Sequence, residues 1–205
     1  MNAIALLILG SLAAGGNLLL DRPVVCPSDR DVLQYDDGTA YWLSWGGLYR
    51  GVFFDLGDFY GDPTGFWADS VEFWFYHHAS YPWDTASFYA ELYSGTEAAP
   101  GTLLSQESVT ASHMSPSVGS YYPPIYLPVQ FWVILNSEMS AGGWPSLLAD
   151  NSPNFTGSPH SFYSEDFIVW EQMELGDYFI RVHGTPMLGL EQCTWGSLKT
   201  LWDAE

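Results

Sequence analysis

The segment VEFWFYHH, Val71–His78, alternates strictly along the chain: Val71, Phe73 and Phe75 fall on one side of an extended backbone, and Glu72, Trp74 and Tyr76 on the other. A period of two is the signature of a strand with one face in a core, because successive side chains of a strand point to opposite faces. Three further segments repeat the pattern. SFYAELYSG sets Phe88, Ala90 and Leu92 against Tyr89, Glu91 and Tyr93; QFWVILN sets Phe131, Val133 and Leu135 against Gln130, Trp132 and Ile134; DYFIRVHG sets Tyr178, Ile180 and Val182 against Phe179, Arg181 and His183. Each predicts a strand.

Turn chemistry separates these runs at Asp37-Gly38, Gly46-Gly47, Gly61-Asp62-Pro63, Ser94-Gly95, Pro100-Gly101, Gly142-Gly143 and Gly176-Asp177. Short strands, frequent Gly and Pro turns and no long amphipathic helix predict an all-β fold, an antiparallel β-sandwich of jelly-roll type. Residues 111–124 and 142–159 read as two longer irregular loops, where a ligand site is expected. Residues 1–16, with an apolar run from Ala3 to Leu9 followed by small residues, read as a secretory signal peptide. That run is too short to span a bilayer core, so no transmembrane segment is expected. The sandwich is expected over 17–186 and a C-terminal extension over 187–205. Cys26 and Cys193 stand near the two ends of the mature domain and are the expected disulfide of an exported chain.

Among 205 residues, 47% are hydrophobic and 17% aromatic, enough apolar mass for one buried core. The 24 acids against 5 basic residues give a formal charge of -19, which excludes nucleic acid as a partner, since phosphate binding requires clustered Lys and Arg. The same balance disfavours an anionic membrane surface and suits solubility outside a cell, a cationic partner or calcium.

The order YDDGTA (35–40), Trp45-Gly46-Gly47, ELYSGTEAAPGTLL (91–104), FWVILN (131–136) and GDYFIRV (176–182) resembles a recurring module of secreted bacterial multidomain proteins. That module opens on an acidic-Gly turn, carries a PGT(L/I)L turn in the middle and closes on a strand ending in Ile-Arg. It is similar in architecture to jelly-roll adhesion and carbohydrate-binding-like modules, and the resemblance spans residues 31–183. It implies a place at the cell surface and brings no catalytic residue with it.

Candidate chemistry centres on acids and aromatics. Asp36 and Asp37 are adjacent, so on a strand they point apart and do not make the paired carboxyls of a glycosidase. Asp37-Gly38 is a strong turn signal. Asp36 and Asp37, with Asp55, Asp58 and Asp62 of the acidic stretch DLGDFYGD, are the candidate calcium ligands, although their spacing does not match an EF-hand. Neither His77-His78 nor His113, His160 and His183 has zinc-site spacing. Asn154-Phe155-Thr156 matches a glycosylation acceptor. The aromatics are the more suggestive set, because sugar rings stack on Trp and Tyr. Trp42, Trp45, Trp74, Trp83, Tyr121, Tyr122 and Trp144 are the candidate ligand platform, with packing against a second layer or a neighbouring subunit as the competing role.

The expectation is a secreted, non-catalytic module that binds an extracellular glycan or protein. A subunit that assembles with copies of itself into a filament or layer is the second reading, and a polysaccharide-active enzyme the third.

Overall fold

Alternation in the sequence becomes two facing sheets in the computed structural model, which describes residues 30–44, 47–80, 82–151, 159–174 and 176–189. The strands are β1 (Asp31–Leu33), β2 (Trp42–Ser44), β3 (Tyr49–Asp55), β4 (Pro63–Trp74), β5 (Ser87–Thr96), β6 (Ala99–Thr110), β7 (Pro116–Leu127), β8 (Gln130–Asn136), β9 (Leu147–Ala149), β10 (Ser161–Ser164), β11 (Glu171–Gln172) and β12 (Ile180–Leu188). The described residues hold no α-helix, only a 3-10 turn at Leu56–Asp58 capped by the Asp55 carboxylate. The expected signal peptide, Cys26, Cys193, Trp45 and the Asn154 acceptor lie outside the described residues, as does nearly all of the expected C-terminal extension.

One sheet has the order β1-β12-β4-β7, the other β11-β10-β3-β8-β5-β6, and β2 pairs with β9 alone. Without the short strands β2, β9, β10 and β11, the eight that remain run first-eighth-third-sixth in one sheet and second-seventh-fourth-fifth in the other. That is the winding of a jelly roll. The inward faces match the sequence pattern: Val71, Phe73 and Phe75, Phe88, Ala90 and Leu92, Phe131, Val133 and Leu135, and Ile180 and Val182 are all fully buried in one core between the sheets.

Five boundaries differ from expectation. Strand β4 begins at Pro63, directly after the acidic stretch and eight residues before the alternating run at Val71, and a bulge at Asp69 hides this first part by switching the buried parity from Phe66 and Ala68 to Val71 and Phe73. The expected loop 111–124 contains most of β7. Its inward positions are Ser117, Gly119 and Tyr121, too small or polar to register as an apolar stripe, and Pro123-Pro124 sit in an irregularity between the pairs Ser70–Ser120 and Ala68–Ile125 at the sheet edge. The β5–β6 hairpin turns at Glu97-Ala98, since Gly95 pairs with Pro100 and Thr96 with Ala99; Ser94-Gly95 and Pro100-Gly101 therefore lie within the strands. Strand β12 continues through Leu188, past the expected boundary at 186, and residues 147–149 of the second expected loop form β9.

Strand β8 is buried on both faces. Trp132 and Ile134, on the outer side, form a second cluster with Tyr49, Phe53 and Phe162, over which Phe167 and Trp170 pack. The cover thus comes from the chain itself, from the segment between β10 and β11. Asp166 shapes that segment by accepting the amides of Ile168 (2.8 Å) and Val169 (3.0 Å). Phe167 takes a left-handed φ of 65° there and lays its ring 5.0 Å from Tyr49 and 5.2 Å from Tyr93. A non-glycine residue in this region costs on the order of 1–3 kcal/mol, offset by the apolar contacts it gains.

Candidate functional site

The acids of the opening motif are engaged by an arginine and by backbone amides. Asp36 is buried, and its carboxylate accepts two bonds from Arg181, at 2.7 Å from Nη2 and 3.1 Å from Nε, with a third from the Gly38 amide at 3.1 Å. Gly38 has φ +80°, the left-handed turn geometry that its missing Cβ permits. The bond from Asp36 holds the Arg181 guanidinium above its ordinary range. Asp37 points to solvent and accepts the Thr39 amide at 2.7 Å. Its own amide donates to Asp150 Oδ2 at 2.9 Å, while Asp150 Oδ1 accepts the Asp177 amide at 2.7 Å. Asp177 in turn accepts the His160 amide and the Ser161 hydroxyl at 2.8 and 2.9 Å. The YDDG and GDYFIR motifs, more than a hundred residues apart, are therefore fastened to each other through Asp36, Asp150 and Asp177. Carboxylates used as backbone acceptors are a way to satisfy amides at a crossing that no sheet ladder serves.

The other acids are dispersed. Asp55 caps the 3-10 turn, Asp58 accepts the Tyr35 hydroxyl at 2.7 Å, and the Asp62 carbonyl accepts the Gly189 amide. Among the described residues, no group of three or more His, Cys, Asp or Glu could hold a metal ion. A polar network that the sequence reading did not single out lies on the outer face of the six-stranded sheet. Glu91, buried, accepts from Gln106, Asn136 and Tyr93; the Asn136 amide also reaches Glu138, which takes the Tyr49 hydroxyl. Burial holds the Tyr49 and Tyr93 phenols above their ordinary range. With its oxygens occupied and 2% of its surface exposed, Glu91 is an acceptor inside the sheet.

The aromatics separate into distinct roles. Trp74 donates its indole N–H to Glu72, which also meets His183 at 3.2 Å, on the outer face of the four-stranded sheet. Trp83 is half-buried beside Phe75 and donates to Ser146 at 3.3 Å. Tyr121, expected in a loop, is buried on β7, whereas its neighbour Tyr122 is fully exposed. Trp144 is half-buried and bonds the Gly142 carbonyl at 3.1 Å. Trp42, by contrast, lines an open cleft.

That cleft, of about 300 Å³, is lined by Ala40, Tyr41, Trp42, Leu43, Tyr76, Met114 and Leu148. Its walls come from four places in the chain: β2 and the residues before it, the segment just after β4, the β6–β7 crossover, and β9. The short pair β2–β9 holds one wall, with the Tyr41 amide donating to the Ala149 carbonyl at 2.9 Å. On the other, the Tyr76 amide donates to the Ser146 carbonyl at 3.1 Å and the Ser146 hydroxyl to the Tyr76 carbonyl at 2.6 Å. Met114 reaches the cleft from a left-handed φ of 52°, pinned by its amide to the Phe75 carbonyl at 2.9 Å. The rings of Tyr41 and Trp42 meet edge to face at 4.8 Å, and His113 lies 4.8 Å from Tyr76 at the rim. Tyr41 (61% exposed), Trp42 (40%) and Met114 (52%) leave apolar surface open to solvent at one spot. Of the lining residues, Trp42 was legible as a candidate platform aromatic and Tyr76 as part of the second face of its strand. Tyr41, Met114 and Leu148 became part of the site only through the β2–β9 pairing and the crossover.

No protein-family model matches the chain, and no curated protein or solved structure matches it either. The chemistry of the cleft is therefore read from its geometry.

Proposed function

We propose that the chain is a non-catalytic binding module acting outside the cell, and that the cleft of Tyr41, Trp42 and Tyr76 takes a sugar ring of an extracellular glycan. The observation that carries this reading is the convergence of two exposed aromatic side chains and a left-handed Met114 on one open cleft. A sugar presents apolar C–H faces that stack on such rings, and its hydroxyls suit the phenol groups and the His113 imidazole at the rim. Strained backbone at an exposed apolar position is itself a pointer to a site. The acidity of the chain and the order of its motifs support a place among secreted surface modules.

The test is an array of extracellular polysaccharides and glycans probed with the purified chain. Binding to a defined glycan class that disappears in Trp42→Ala and in Tyr76→Ala supports the reading. Silence across the array, or binding unchanged in both variants, overturns it, and turnover of a bound polysaccharide would make the chain an enzyme.

A further inference from the structure

The two sheets end very differently on their two sides. On one side the edge strands are β1 and β11, three and two residues long; on the other they are β6 and β7, twelve residues each, and these two lie against one another. Short edges are protected against pairing, and long ones require devices such as Pro, bulges or Lys. Strand β7 has them, in Pro116, Pro123, Pro124 and its irregular register. In β6 the register irregularities fall near the hairpin, leaving Ser105–Thr110 regular against β5, without a Pro or a basic residue.

The direction of the β6 amides follows from one bond. The Ala111 amide donates to the Ala86 carbonyl at 2.7 Å. Because hydrogen-bonded and non-hydrogen-bonded pairs alternate along an antiparallel ladder, Val109 and Glu107 also face β5, and the amides of Gln106, Ser108 and Thr110 point away from it. All three of these residues are exposed.

We propose that this edge pairs with the same edge of a second copy, antiparallel about a two-fold axis at Ser108, so that the six-stranded sheets of two molecules become one continuous sheet. The near-neutral edge is where a second copy can approach. At a net charge of -19 two copies repel over most of their surface, and a basic partner would be drawn to that acidic surface. The stretch 105–110 carries a single acid, Glu107. An axis at Ser108 sets Glu107 opposite Val109 of the partner subunit and Gln106 opposite Thr110 of the partner subunit. An axis at Glu107 would instead set the two glutamates face to face. An antiparallel pairing of identical edges is isologous and closed, which gives a dimer in place of a filament.

The experiment is sedimentation equilibrium of the purified chain at about 0.02 M and about 0.5 M salt, where screening lengths differ severalfold. A dimer that tightens at the higher salt is expected. Ser108→Pro removes the central amide without touching the β5 ladder, and Ser108→Glu keeps the amide but brings two carboxylates together at the axis. Both variants should retain the wild-type melting temperature and weaken the dimer at least tenfold, with Ser108→Glu partly restored by salt. A monomer at every concentration and salt, a dimer indifferent to Ser108→Glu, or a mass that grows without limit would each overturn the proposal.

Discussion

Replacing Asp36 by alanine isolates the fastening between the opening and closing motifs. The Asp36 side chain has no exposure and that of Arg181 has 18%, so the variant leaves a largely buried guanidinium without its bidentate acceptor and the Gly38 amide without its carboxylate. Removing one partner of a buried ion pair costs about 3–5 kcal/mol. Arg181 keeps Glu72 at 3.6 Å and the Phe179 ring at 5.3 Å, which places the loss near 3 kcal/mol at the lower end of that range. For a domain of this size each kcal/mol shifts the melting temperature by about 2–4 °C, so a fall of roughly 6–12 °C is expected. Thermal melting followed by circular dichroism reads it. The double variant Asp36→Ala with Arg181→Met removes the stranded charge as well, and it should be more stable than the sum of the two single losses by about 1–3 kcal/mol. A fall below about 2 °C in Asp36→Ala, or strict additivity in the cycle, would refute the claim that this carboxylate is a structural clasp.

Two other outcomes follow from packing and titration. A Cβ at Gly184 would stand 2.1 Å from the Trp67 carbonyl oxygen and 2.6 Å from the Phe66 ring, at the irregularity where β12 meets β4. Gly184→Ala should therefore cost at least about 2 kcal/mol in urea unfolding, and a neutral result would show that the strands close less tightly than described. Burial holds the phenols of Tyr35, Tyr60, Tyr121 and Tyr178, as well as Tyr49 and Tyr93, above their ordinary range, whereas in the unfolded chain they ionise near pH 10. The folded state keeps protons that the unfolded state loses, so this contribution is complete below about pH 10 and is lost as pH rises above it. Arg50, buried and pushed down to about 10, acts in the opposite sense but is one group against six. Absorbance at 295 nm should show these phenolates appearing together with loss of the circular dichroism signal; their smooth ionisation in a still-folded protein would contradict the burial described.

The inward faces of the four alternating runs were legible because each carries its apolar residues at unbroken spacing of two. Where a bulge shifts parity, as at Asp69, or where the inward positions are Ser117 and Gly119, the stripe vanishes although the strand persists. The clasp was invisible for another reason. Asp36, Asp150 and Asp177 are distant in sequence, and only the meeting of β1, β9 and β12 at one end of the sandwich brings them together. An acidic turn motif reads the same whether its carboxylate faces an ion, a substrate or an arginine. The cleft was half legible: Trp42 was marked by its type and Tyr76 by its place on the second face of its strand, but its walls depend on the β2–β9 pair, two three-residue strands with no periodicity to read.

The most direct measurement compares Trp42→Ala with Asp36→Asn in the same two assays, glycan affinity by titration calorimetry and melting temperature. Trp42→Ala is expected to weaken binding by about thirtyfold, the loss of roughly 2 kcal/mol typical of a central aromatic contact, and to leave the melting temperature within about 2 °C of wild type. Asp36→Asn is expected to lower the melting temperature and to bind with unchanged affinity at temperatures where it is folded. The reverse pattern, with affinity lost at Asp36 and intact at Trp42, would place the function in the acids and contradict the account.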